Sequence, residues 1–144
     1  MRSRRLSIVT NNLALPPFLA NEPEIEVIVL GGAVRSYSTG KVGPLAIEIL
    51  RRITADRVFV SADGVVAGRG LWEASLDQVT LKSLMMEQAR EVVVLAEATK
   101  LGRSEQSARA PLPSRWGLVT DAPATDRQVL ALAAAGTQVT TAKI

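Results

Sequence analysis

The chain has 144 residues, 47% of them hydrophobic and 22% charged, with a formal net charge of +3. That is enough apolar material for one globular unit with a core of its own, and too short a chain for two to be expected. Cys and His are both absent, which excludes a disulfide framework, a thiolate zinc site and the commonest general base, and an aromatic content of 3% leaves no stacking platform for single-stranded nucleic acid.

Met1-Arg-Ser-Arg-Arg5 precedes no apolar signal-peptide core, and no apolar run reaches the roughly 18 residues that span a bilayer, so a cytoplasmic protein without membrane contact is expected. The positive balance, clustered only at Arg2/Arg4/Arg5 and Arg51/Arg52, points to an anion ahead of nucleic acid. Leu6 to Thr10 reads as a strand. Asn11-Asn12 offers a side-chain N-cap to a helix from Leu13 to Ala20, but Pro16-Pro17 suits only a first turn, so that helix is either short or begins at the prolines. Glu26 to Leu30 is an uninterrupted aliphatic run that suits a strand covered on both faces, and Gly31-Gly32 ends it. Ala33 to Val42 reads as a loop whose donors, Arg35, Ser36, Tyr37, Ser38, Thr39 and Lys41, either grip a polyoxygenated or anionic ligand or face water. Gly43-Pro44 opens a helix with Ala46, Ile49, Leu50 and Ile53 at helical spacing, and Arg51-Arg52 complement its negative end.

Asp56 to Gly64 is an apolar run that ends abruptly in a polar residue and a glycine, a buried strand delivering Asp63 to the rim of a sheet. Val65 to Leu71, punctuated by glycine, reads as a short excursion. Ser75-Leu-Asp-Gln78 has the form of a capping box opening a helix to about Arg90, with Val79, Leu81, Leu84, Met85, Met86 and Ala89 as its broad apolar side. Lys82, one turn beyond Gln78, points either over the strand ends or into water. Glu91 to Ala96 is the next strand, and in the loop Glu97 to Arg103 it is Lys100, more than Arg103, that sits at the polar edge. Ala108 to Ser114 is extended, and Trp116 to Thr120 is a strand ending at Asp121. Thr125-Asp-Arg-Gln128 is a second capping box, before a helix closed by Gly136, and Thr137 to Thr141 is a last strand.

About six strands alternating with about four helices predict an α/β fold, a mostly parallel sheet with helices on both faces, Rossmann-like, in a single domain over residues 1–144. In such sheets ligands bind outside the carboxyl ends of the strands. Five apolar runs end in polar or glycine clusters, at Asn11, Gly31-Gly32, Asp63-Gly64, Glu97 and Asp121, so parallel pairing would gather those ends on one edge.

Val9-Thr-Asn-Asn12, Leu30-Gly-Gly32 with Arg35, Val42-Gly-Pro-Leu45, Phe59-Val-Ser-Ala-Asp-Gly64, Leu81-Lys82 with Met85, and Lys100-Leu-Gly-Arg103 together resemble the C-terminal sensor domain of the DeoR family of bacterial transcription regulators. The resemblance covers nearly the whole chain in the family's order and spacing. It implies a fold akin to ribose-5-phosphate isomerase and CoA transferases, a phosphorylated sugar as effector, self-association into a homo-oligomer, and no cofactor or metal. Carried over by position, it implies Thr10, Asn11, Gly31, Gly32, Arg35, Asp63, Gly64, Lys82 and Lys100 as effector-binding residues. Family members begin with a winged helix-turn-helix and a strand with an Asp-Ser-Gly-Thr-Thr-like phosphate loop. Neither is found in this sequence, so DNA contact is expected only through a domain absent from the chain, which reads as N-terminally truncated relative to the family. Gln78 stands where the family usually carries an acid, and Leu101 where it usually has Phe. Two other functions stay open: a sugar-phosphate isomerase using Asp63 with Lys82 or Lys100, and an assembly module without a ligand.

Overall fold

The computed structural model describes residues 5–35 and 38–143, with the backbone alone for 33–35 and 38–42, and the chain divides into two compact units, 1–52 and 53–144. In the N-terminal unit β1 (Leu6–Thr10) and β2 (Ile25–Val29) pair in parallel, from Leu6 opposite Ile25 to Thr10 opposite Val29. The helix between them, α1 (Pro16–Leu19), begins at the prolines and is shorter than Leu13 to Ala20, because proline at its first position leaves no amide for an earlier turn to use. Asn12 caps a turn instead of the helix, its side-chain oxygen accepting from the Ala14 amide at 2.8 Å. The expectation of a doubly covered second strand is not met, since Ile28 and Val29 each stay 37% exposed.

Residues 33–42, read from sequence as a loop, contain an antiparallel pair, β3 (Ala33–Arg35) and β4 (Ser38–Val42), whose register shifts between Val34 and Arg35. Val34, Thr39 and Val42 favour extended backbone, but the polar content hides the pattern. Ser36 and Tyr37 lie outside the described residues. Next comes α2 (Pro44–Leu50), with Pro44 in its first turn and Ala46 and Leu50 buried. It stops short of Ile53, and the exposed Arg52 pairs with Glu48 one turn back at 2.6 Å.

The C-terminal unit runs β5 (Ala55–Ser61), β6 (Gly64–Val66), β7 (Gly70–Glu73), α3 (Leu76–Glu87), β8 (Ala89–Leu95), a 3-10 turn (Ala98–Lys100), β9 (Ala108–Ala110), β10 (Gly117–Thr120), α4 (Arg127–Ala134) and β11 (Gln138–Thr141). Its main sheet is entirely parallel, in the order β11-β10-β8-β5. Successive residues alternate between faces, so Val58, Val60, Val92, Val94 and Leu118 point to one side, where Met86 of α3 and Val129 and Leu132 of α4 complete the core. Each such side chain contributes roughly 1.5–3 kcal/mol on burial. Phe59 points to the opposite side and is 56% exposed.

A small antiparallel sheet, β6-β7-β9, adjoins the strand ends. The excursion expected over Val65 to Leu71 is therefore a hairpin, and part of the extended stretch after Ala108 is paired. Of the two expected helix caps, one is found as read and one is shifted by a residue. The Ser75 hydroxyl accepts from the Gln78 amide at 3.2 Å, while at α4 the cap is Asp126, not Thr125, its carboxylate accepting from the Gln128 and Val129 amides. The chain is thus an α/β protein in which the main sheet and the β1-β2 pair are parallel and the β3-β4 and β6-β7-β9 strands pair antiparallel. No helix among the described residues is long and apolar enough to cross a membrane.

Candidate functional site

At the carboxyl edge of the parallel sheet, β5 and β8 end side by side, Ser61 opposite Leu95, and release Ala62-Asp63 and Ala96-Glu97. The hairpin brings the chain back to this point. Gly64 pairs with Trp72 and the Asp63 amide donates to the Trp72 carbonyl at 3.0 Å, which sets Glu73 beside Asp63. On α3, Gln78 and Lys82 are four residues apart and so share a face. The 3-10 turn after β8 supplies Lys100, and the start of that turn is tied to Asp121, whose carboxylate accepts from the Ala98 amide at 2.6 Å. Asp63, Glu73, Gln78, Lys82 and Lys100 line a cavity of about 310 Å³, together with Ser61, Leu95 and Glu97. A second recess of about 60 Å³ shares Asp63 and Lys100 and is lined also by Arg103, Glu105 and Gln106.

The polar groups of the cavity are not equivalent. Glu73, whose side chain is 2% exposed, pairs with Lys82 at 17%, and the same ammonium donates to the Ser61 carbonyl. Two of the three ammonium hydrogens are thereby used and one is left. Such a pair returns little net stability, since desolvating both ions consumes most of the attraction, but it fixes its members in place. Asp63 and Lys100 are half-buried, and neither forms an ion pair among the described residues. Arg103, in contrast, is engaged by Glu105 at 3.0 Å. Gln78 Oε1 is buried in the wall with no hydrogen-bond partner among the described residues. The capping box is therefore only half formed: the backbone amide of Gln78 uses the Ser75 hydroxyl, and its side-chain oxygen does not reciprocate.

Of the residues marked from sequence, Asp63, Lys82 and Lys100 come together around one cavity. Gly64 is buried next to them, and its missing side chain is explained by the chain itself, since a β-carbon there would lie 2.0 Å from the Arg103 carbonyl oxygen. Thr10, Asn11, Gly31 and Gly32 sit at the carboxyl edge of the other parallel pair, in the N-terminal unit, where the Leu30 amide donates to the Thr10 carbonyl at 2.8 Å. Thr10 is buried and its hydroxyl accepts from the Asn12 amide at 3.0 Å, while Gly32 has φ 140°, a conformation that disfavours any side chain. Arg35 ends β3, and its backbone alone is described. Sequence reasoning missed Glu73 and the free oxygen of Gln78. The signal for the first was an acid closing the apolar run Gly70-Leu-Trp, and for the second there was none, because the capping motif accounted for the residue. No group of three or more His, Cys, Asp or Glu that could hold a metal occurs among the described residues.

The family model of the DeoR C-terminal sensor domain matches residues 1–122. The chain is 30% identical over 100 residues to the HTH-type transcriptional repressor CsqR of Escherichia coli strain K12, a match covering 69% of this chain and 38% of that protein. It is 36% identical over 95 residues to the HTH-type transcriptional regulator GlpR of Haloferax volcanii, covering 66% and 37% respectively. To the glycerol-3-phosphate regulon repressor of Escherichia coli strain K12 it is 26% identical over 118 residues, covering 82% and 47%. The chain spans less than half the length of each of these relatives. With a match over most of its length and the α/β architecture of a mostly parallel sheet, the chain belongs to the DeoR C-terminal sensor domain family.

Proposed function

We propose that this chain is the effector-sensing part of a DeoR-type transcriptional regulator, that its effector is a phosphorylated sugar or polyol, and that binding is coupled to self-association. The observation that carries the proposal is the cavity of about 310 Å³ at the ends of β5 and β8, where the half-buried Lys100 and Asp63 have no ion-pair partner among the described residues. Its size falls at the small-ligand end of the roughly 300–1,000 Å³ usual for such sites. Lys100 supplies a charge for a phosphate, and Asp63 accepts hydrogen bonds from hydroxyls. The name of one relative, the glycerol-3-phosphate regulon repressor, supports a phosphorylated polyol as the class. The proposal is a binding site, a reading supported by the names of the relatives, which are transcriptional regulators and repressors. No DNA contact is assigned to residues 1–144.

The test is thermal unfolding against glycerol 3-phosphate, glucose 6-phosphate and fructose 6-phosphate, with glycerol, the free sugars and inorganic phosphate as controls. A ligand of the native state at 100 times its Kd stabilises by about 2.7 kcal/mol, so the midpoint must rise with concentration. The expected result is a rise for a phosphorylated compound that exceeds the rise for inorganic phosphate, with none for glycerol or the free sugars, lost in Lys100→Ala. A flat panel, or undiminished affinity in that variant, would count against the proposal. Aldose–ketose interconversion that disappears in Asp63→Asn would replace it with an isomerase.

A further inference from the structure

Two observations at the α3 wall of the cavity go together. Gln78 Oε1 is a buried acceptor with no partner among the described residues, although the capping motif in which it sits would ordinarily send that side chain back to the Ser75 amide. An acceptor stripped of water and left unmatched is uncommon in folded proteins, and because Gln78 belongs to the lining of the cavity, a rotation of its side-chain amide brings the oxygen to a donor carried by whatever fills it. One turn along the same face, the Lys82 ammonium has given two hydrogens to Glu73 and the Ser61 carbonyl and retains one. Its charge is already balanced by Glu73, so this wall is close to neutral while still offering one donor and one acceptor. A phosphate is not what such a wall selects. A hydroxyl, which both accepts and donates, is.

We propose that Gln78 and Lys82 form the hydroxyl-selecting end of the cavity, Lys82 donating to a ligand hydroxyl oxygen and Gln78 Oε1 accepting a ligand hydroxyl proton, with Glu73 as the positioning residue that holds Lys82 in place. The ligand then lies with its polyol end against α3 and its anionic end at Lys100. This orientation rests on the phosphorylated-effector reading and adds to it the residue that distinguishes a polyol phosphate from phosphate alone.

Gln78→Leu tests this by calorimetric titration with glycerol 3-phosphate, glucose 6-phosphate and inorganic phosphate, beside the unfolding midpoint of the unliganded protein. Removing an unmatched buried acceptor should leave that midpoint unchanged or higher, whereas loss of one hydrogen bond to the ligand should weaken the phosphorylated polyol about tenfold, with inorganic phosphate unaffected. Gln78→Met, unbranched and closer to glutamine in shape, serves if the leucine variant folds poorly. Equal affinity of wild type and variant for the polyol phosphate overturns the assignment while leaving the effector class standing, as does a parallel loss for inorganic phosphate. Wild type that binds neither polyol phosphate removes the effector reading and this inference together.

Discussion

A carboxylate that is 2% exposed must be neutralised or paired, and at Glu73 the partner is Lys82. The two are nine residues apart, and they meet because the β6-β7 hairpin returns the chain to the end of β5 just as α3 begins above it. Lys82→Met should leave the carboxylate without its cation and cost about 3 kcal/mol or more, measured by urea unfolding. Replacing both, Glu73→Leu with Lys82→Met, should recover much of that loss, since well-packed apolar side chains can substitute for a buried ion pair. A double variant no more stable than the single one would show that Glu73 and Lys82 do not act as a pair. The place of Asp63 and Lys100 at the strand ends was legible from sequence, since Ala62-Asp63 follows β5 and the turn carrying Lys100 comes soon after β8. Glu73 was not, because its position depends on hairpin register, which no alternation over three or four residues reveals.

At the level of elements, the position of Lys100 depends on a close backbone contact. The Gly102 amide donates to the Val65 carbonyl at 2.7 Å, Val65 and Leu101 form a parallel bridge, and Gly64 lies against the Arg103 carbonyl. Gly64→Ala would push a methyl group into rigid backbone, with the Arg103 carbonyl oxygen 2.0 Å and its carbon 2.8 Å away. A loss of about 3 kcal/mol is expected, together with weaker binding of polyol phosphate, because the strain is relieved only by shifting the turn that carries Lys100. Unfolding and calorimetric titration of the variant check both parts, and wild-type values in each would refute the role given to the contact. The parallel strands were readable in sequence from their runs of β-branched residues, and so was the Ser75 cap. The short antiparallel strands were not, since three to five residues are too few to show a period, and at α4 neighbouring Thr125 and Asp126 both fit the cap, leaving sequence unable to choose.

For the whole molecule, an effector matters to a regulator only through a difference in affinity between two states, since a ligand bound equally by both shifts neither. If those states are degrees of self-association, linkage requires the effect to run both ways: a polyol phosphate that favours the oligomer must bind more tightly where the oligomer is populated, by the same factor. Titrations of glycerol 3-phosphate or glucose 6-phosphate at protein concentrations well below and well above the association midpoint, located by sedimentation, should therefore give different apparent affinities. The Lys100→Ala variant should still associate, but without response to the ligand. Identical affinities across that range would leave sensing and assembly as separate properties, and sedimentation as a monomer at every concentration would remove self-association from the proposed function, with the cavity left to act through some other pair of states.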